Sequence, residues 1–243
     1  MGQKKKDFEV IKFPSLTSTQ EKAREFLTRS PSAWLVILAE RQEKGKGRGG
    51  REFFSPPGGL YFSLLLQEES SPHHLLFALS SAVAEAIREL TGVEVLIKWP
   101  NDFVVGKRKI GGILLEKAAE NWWWIVGVGI NLNSSEKDFP SSLQGKIITL
   151  KDILGKLLDP EKLLFKILEN IRKEMGVLKE KGFSAILRKW EHLSLPLGSR
   201  ITLHRGKKTL EGYYWGVGEE GEVYIRTEEG RVLSFTTGDL EIT

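Results

Sequence analysis

The chain has 243 residues, 40 % hydrophobic and 28 % charged, with a net charge of +4; that is enough for a sizeable core in one large domain, or in a large and a small one. Cysteine is absent, which excludes disulfides, thiolate metal sites and a cysteine nucleophile. No stretch reaches the roughly 20 apolar residues of a membrane helix, and the basic start Lys4-Lys5-Lys6 has no apolar run behind it, so the chain reads as cytoplasmic and not membrane-bound.

Ser18-Thr19-Gln20-Glu21 has the spacing of a capping box and opens a helix running to about Thr28. Trp34–Ala39 reads as a buried strand, and a glycine-rich basic segment from Glu43 to Arg51 separates it from a second strand at Leu60–Leu66. From His74 to Thr91 a 3.6-residue apolar stripe predicts a helix, stopped by Gly92. Strands follow at Val93–Trp99, Lys109–Glu116 and Trp122–Asn131, with a turn at Gly106-Lys107. Asp159-Pro160 opens a long amphipathic helix to Gly182, and a shorter one runs from about Ser184 to His192.

Beyond Leu197 short strands at Arg200–His204, Thr209–Val217, Val223–Thr227 and Arg231–Phe235 alternate with glycine turns, the pattern of a small barrel. The expected domains are 1–194 and 195–243, the first an α+β domain whose sheet is mixed and mostly antiparallel. Residues 196–243 hold six basic and eight acidic side chains, which leaves +6 on residues 1–195. An excess of that sign suits an anionic ligand, or solubility alone.

Common signatures are missing. There is no Walker loop, no glycine-flanked nucleophilic serine, and Leu132 stands where a dinucleotide fingerprint needs its third glycine. The four histidines are spaced wrongly for zinc. Four segments remain. Gly45-Lys46-Gly47-Arg48-Gly49-Gly50-Arg51 offers backbone N–H groups and cations to an anion, or is a plain flexible connection. Lys98-Trp99-Pro100-Asn101-Asp102 ends a strand with oxygens suited to Mg²⁺ or a nucleotide, or is a simple turn. Lys107-Arg108-Lys109-Ile110-Gly111-Gly112-Ile113 brings cations to a strand with paired glycines, and Gly127-Val128-Gly129-Ile130-Asn131 again lacks side chains on one face, through tight packing or a bulge.

In this order the four segments resemble the biotin protein ligases over nearly the whole chain. The loop departs from that family's pattern at one place, with Lys46 where an arginine is usual, so charge is kept and a bidentate fork is lost. The resemblance implies a class II synthetase-like α+β domain with a C-terminal SH3-like barrel. It also implies a form without the N-terminal DNA-binding domain, for which operator binding is not expected. It further implies that biotin and Mg·ATP give biotinyl-5′-AMP, from which biotin passes to a lysine of a biotin carboxyl carrier protein. By the same resemblance Arg48 and Lys109 bridge the carboxylate and the α-phosphate as catalytic residues. Ser18, Thr19, Gln42, Gly45, Lys46, Gly112, Gly127 and Ile130 complete the biotin site. Arg51, Phe53, Lys98, Asn101 and Asn131 meet the nucleotide, and Asp102 holds Mg²⁺. Ser18 and Thr19 also have a structural job as helix caps.

Two other readings stay open: a lipoate–protein ligase, which shares the activation chemistry, and a nucleic-acid-binding protein, suggested by the basic loop. Trp122-Trp123-Trp124 puts indoles on both faces of a strand. An edge nearby would pair with a second subunit to give a homodimer; a monomer is the alternative.

Overall fold

The structure is a computed structural model that describes residues 3–5, 8–28, 34–118 and 122–243; Lys6 of the basic start lies outside them. In chain order the elements are strands β1 (Gln3–Lys5) and β2 (Phe8–Phe13), helix α1 (Thr19–Leu27), strands β3 (Leu35–Ala39) and β4 (Leu60–Gln67), helix α2 (Pro72–Thr91), strands β5 (Leu96–Lys98), β6 (Asp102–Val105), β7 (Arg108–Lys117) and β8 (Trp123–Ile130). Helices α3 (Leu150–Leu154), α4 (Pro160–Lys181) and α5 (Phe183–Leu193) follow, then strands β9 (Arg200–Arg205), β10 (Lys208–Val217), β11 (Val223–Arg226), β12 (Val232–Phe235) and β13 (Asp239–Ile242). The chain divides into two compact units, Met1–Ser70 with Arg108–Leu164, and Ser71–Lys107 with Phe165–Thr243.

The first unit is built on a mixed sheet in the order β1-β2-β3-β4-β8-β7. Strands β2 and β3 are parallel, and the other pairs are antiparallel. Helix α1 lies on β3, β4 and β8, burying Ala23 against Leu35, Ile37, Leu65 and Ile125, with Phe26 and Leu27 alongside. That is the helical spacing of α1's apolar residues meeting the two-residue spacing of a strand. Strand β2 alternates buried Phe8 and Val10 with more exposed Glu9 and Lys12, a period of two that places it in the sheet. Strand β8 has a neighbour on each side, so it offers no edge to a second chain. Trp122 lies just ahead of it at φ 61, 45 % exposed, with the Lys117 ammonium 5.3 Å from its ring. Trp124 is buried, its indole donating to the Glu68 carbonyl.

In the second unit α2 starts at Pro72 after Ser71, whose Oγ accepts from the His74 N–H, and stops at Gly92 in the left-handed region. This is the Pro-first, Gly-last pattern of a helix. Helix α2 packs on α5, where Phe77 stacks on Trp190 at 4.5 Å and the Trp190 indole donates to Ser80 Oγ. Strands β5 and β6 form a hairpin; β5 is shorter than the predicted Val93–Trp99, starting only at Leu96 and ending at Lys98, where Trp99, Pro100 and Asn101 turn the chain. Strands β9 to β13 make an antiparallel sheet in the order β12-β11-β10-β9-β13 around Ile201, Leu203, Tyr214, Val223, Ile225 and Leu240. The four predicted strands are present; β13, with only four residues, is an additional one.

Candidate active site

The polar part of the first unit's site grows from the start of α1. The Thr19 N–H and hydroxyl both donate to Gln42 Oε1, at 2.8 and 3.0 Å, and Gln42 Nε2 donates to Ser55 Oγ. Ser55 in turn donates to the Phe53 carbonyl. Ser63 Oγ lies 2.8 Å from both Thr19 Oγ1 and Gln20 Oε1, and Gln20 Nε2 reaches Glu116 at 3.0 Å. Thr19, Gln20, Ser55 and Ser63 are all buried. Each bond holds the next amide or hydroxyl in one orientation, so the chain is a rigid polar floor. Ser18 differs. The expected capping bond is not made: its Oγ, on a residue 1 % exposed, accepts from no backbone N–H and has no partner among the described residues. An unpaired buried hydroxyl costs free energy unless a ligand completes it.

The glycine-rich loop closes on itself. Phe53 N–H donates to the Gly45 carbonyl and Gly47 N–H to that of Arg51, while Lys46 pairs with Glu52 in an isolated bridge. Gly45 is required by space, since a Cβ there would lie 2.4 Å from the Phe53 carbonyl oxygen and 2.9 Å from Gln42 Nε2. Gly49 and Gly50 are required by conformation, at φ 67 and 77. Lys46 turns to Glu21 of α1 at 3.0 Å. Arg51 is exposed and its Nε donates to the Arg48 carbonyl, and Arg48 is half-buried at the tip.

Alternation decides which side chains the sheet presents beside α1. In register, Tyr61 and Ser63 on β4 face Gly129 and Gly127 on β8, which face Gly112 and Leu114 on β7. One face therefore carries three glycines, and it is the same face as the Ser63 floor. A Cβ on Gly129 would meet the Phe53 ring at 2.5 Å, and one on Gly127 the Gln20 amide at 3.0 Å. The pairing runs unbroken through both glycines; tight packing, not a bulge, explains them. Ile130 points to the opposite face and is fully buried.

Phe53 sits 5.6 Å from the Lys109 ammonium and edge-on to Tyr61. The buried Tyr61 hydroxyl donates to the Pro56 carbonyl, and burial, helped by Asp138, drives its pKa above the ordinary tyrosine range. At the end of β8, Asn131 is 3 % exposed. Its Nδ2 donates to the carbonyls of Lys109 and Ile148, and its Oδ1 has no partner. A second unspent acceptor thus lies beside the backbone of the strand that carries Lys109.

In the second unit Lys98, Asn101 and Asp102 occupy the β5–β6 turn. Lys98 Nζ donates to the Leu240 carbonyl at 2.6 Å and pairs with Asp102 at 3.1 Å. Among the described residues no group of three or more His, Cys, Asp or Glu gathers, so they build no cage for an ion. A single hard carboxylate such as Asp102 suits Mg²⁺, which keeps most of its water and arrives on phosphate oxygens.

The structure thus brings Thr19, Gln42, Gly45, Phe53 and Lys109 into one connected group and sets Gly112 and Gly127 on the face beside it. Ser18 and Asn131 border that group with unspent oxygens. Lys46, Arg51 and Ile130 turn elsewhere. Sequence reasoning missed Gln20, Ser55, Ser63, Tyr61 and Glu116; Ser63, the one polar residue buried inside an otherwise apolar strand, carried a readable signal.

Residues 10–133 match the biotin/lipoate A/B protein ligase family. The bifunctional ligase/repressor BirA of Bacillus subtilis is 31 % identical over 235 residues, covering 93 % of this chain and 72 % of its own. The biotin--[acetyl-CoA-carboxylase] ligase of Paracoccus denitrificans is 29 % identical over 218 residues, 83 % of this chain and 87 % of its own. The biotin protein ligase from Aquifex aeolicus, solved in complex with biotin and ATP, matches with a TM-score of 0.84 at 34 % identity, covering 96 % of this chain and 98 % of that one. The chain therefore belongs to the biotin/lipoate A/B protein ligase family, among its biotin protein ligases, and is an enzyme.

Proposed function

We propose that the enzyme activates biotin with Mg·ATP to biotinyl-5′-AMP and transfers biotin to a specific lysine of the biotin carboxyl carrier protein of a biotin-dependent carboxylase. The observation that carries this reading is the buried polar floor at Thr19, Gln42 and Ser63, bordered by the unpartnered Ser18 Oγ and a glycine face. On this reading a flat ligand with a polar ring would have its ring donors and acceptors met by Ser18, Thr19 and Gln42. Gly45, Gly112 and Gly127 line its sides with backbone. Lys46 would join only by turning from Glu21, and Ile130, on the sheet's opposite face, would support the site only from behind.

A biotin carboxylate oxygen attacks the α-phosphorus, the α–β anhydride breaks, and pyrophosphate leaves. Two anions must approach one another, so the cations Arg48 and Lys109 carry the catalysis by lowering that repulsion and stabilising the charge that builds in transfer. No side chain becomes a covalent nucleophile. The acceptor amine then attacks the acyl carbon, an amide forms, AMP departs, and the amine loses its proton. Arg51, Lys98, Asn101 and Asn131 would meet the nucleotide, with the Phe53 ring against adenine. Asp102 would hold Mg²⁺, which when bound neutralises phosphate charge. Residues 1–194 would form the catalytic domain and 195–243 an SH3-like barrel, in a cytoplasmic enzyme.

Incubating the protein with biotin, Mg·ATP and a carboxyl carrier domain tests this. The acceptor should gain the mass of one biotinyl group on one lysine; an acceptor of unchanged mass, with the protein folded, contradicts the transfer.

A further inference from the structure

We infer that Trp99 is a positioning residue for the nucleotide half of this reaction, acting through the β9–β13 sheet. The inference rests on the reading that Lys98, Asn101 and Asp102 meet ATP. Those residues sit in a tight turn, and three bonds inside the second unit tie that turn to the sheet or to the segment leading into it. The Trp99 indole, 2 % exposed, donates to the Gly221 carbonyl at 2.9 Å. Lys98 Nζ donates to the Leu240 carbonyl on β13. Ile97 makes an isolated bridge to Ser194, whose Oγ receives the Tyr214 hydroxyl of β10.

Gly221 makes a firm anchor. It lies in the β10–β11 turn at φ 80, its N–H donates to the Gly218 carbonyl, and Gly218 in turn donates to Glu222. A Cβ on Gly221 would come 2.9 Å from the His73 side chain, so the turn is wedged against the start of α2. A neutral indole N–H fixed on a main-chain carbonyl sets the backbone between Lys98 and Asp102 without competing for phosphate. Trp99 is therefore placed to set where the Lys98 ammonium and the Asp102 carboxylate stand when ATP arrives, and site geometry of this kind is worth more than its bond energy.

The test replaces the indole but keeps an aromatic ring. Trp99→Phe removes the N–H and leaves the Gly221 carbonyl without it. Trp190→Phe is the control, because it loses an equivalent buried indole bond, to Ser80 Oγ at 3.0 Å, between α5 and α2. Both variants should melt lower by similar amounts. In biotin-dependent pyrophosphate exchange Trp99→Phe should raise the KM for ATP about tenfold and leave that for biotin unchanged, while Trp190→Phe changes neither. An unchanged ATP KM in Trp99→Phe, or an equal rise in Trp190→Phe, overturns the inference. Should Trp99→Phe fail to fold, Gly221→Ala displaces the same carbonyl and must give the same ATP-selective loss. Wild-type protein without exchange contradicts the functional reading alone. Equilibrium binding of ATP to the same variants then decides the positioning role, again by an ATP affinity lowered in Trp99→Phe and kept in Trp190→Phe.

Discussion

In the first unit the residues proposed to meet substrate are arranged around oxygens that nothing among the described residues satisfies, Ser18 Oγ and Asn131 Oδ1, on a sheet face stripped to glycine. In the second unit the Lys98 ammonium is already spent on the Asp102 carboxylate and the Leu240 carbonyl. On the proposed reading the first region would meet a neutral polar ring with bonds left unmade. The second would meet a highly charged ligand with its charges held in an ion pair, so that a phosphate or Mg²⁺ would only exchange partners. Buried unpaired charge is far more costly than a buried unpaired hydroxyl, and that difference accounts for the two designs.

Substitutions sharpen the contrast, beginning with those of largest effect. Removing Arg48 or Lys109 with alanine should slow adenylate formation by roughly 100- to 1000-fold, measured as initial rates. Lys46→Ala, whose side chain already answers Glu21, should cost less than about tenfold. Gly129→Ala drives a methyl into the Phe53 ring and should lower stability in urea by about 1–3 kcal/mol. Gly49→Ala, limited by φ and not by space, should lose only about 1 kcal/mol.

Ser18→Ala separates a cap from a ligand group. Since the capping bond is not made and the buried hydroxyl is unpaired, stability should hold or rise by up to about 1 kcal/mol while the KM for biotin rises about tenfold. Loss of stability with an unchanged KM would make Ser18 a cap after all.

The smallest effect is alkaline. Burial pushes Tyr214 up to about 12 and Tyr61 higher still. A pKa raised in the folded state means that this contribution to stability is full below the unfolded tyrosine value near ~10 and is lost as pH rises through about 12. In a spectrophotometric titration Tyr61 and Tyr214 should ionise late because they are buried, and Tyr224 late because it donates to Glu222. All four tyrosines titrating together near ~10 would contradict the burial of Tyr61 and Tyr214.

The sequence made the elements legible wherever periodicity and punctuation agreed. The stripe from Leu75 to Leu90 between Ser71-Pro72 and Gly92 is a helix in the structure, and the glycine-flanked short strands after Leu197 form one sheet. Strand β2 was not predicted, although Phe8–Phe13 alternates buried and more exposed residues. Strand β13 was missed although Asp239-Leu240-Glu241-Ile242 alternates polar and apolar residues; four residues at the chain's end are a short signal, and pairing with β9 is what defines them. At the site, charge and glycine pointed to Arg48, Lys109 and Gly127 but not to what holds them. Tyr61 and Gln20 work through register and packing, which bring positions 20, 63 and 116 into one bonded chain. Ser18 was read as a cap from spacing alone, and spacing does not fix where a hydroxyl turns. The pairing of Lys98 with Asp102 follows from the β5–β6 turn, which Pro100 announces.

The account stands most directly on acyl-adenylate formation, measured as exchange of labelled pyrophosphate into ATP with no acceptor, once with biotin and once with lipoate. The prediction is exchange that requires biotin and Mg²⁺ and is not supported by lipoate. Exchange driven by lipoate, or none with either acid from folded protein, would contradict it.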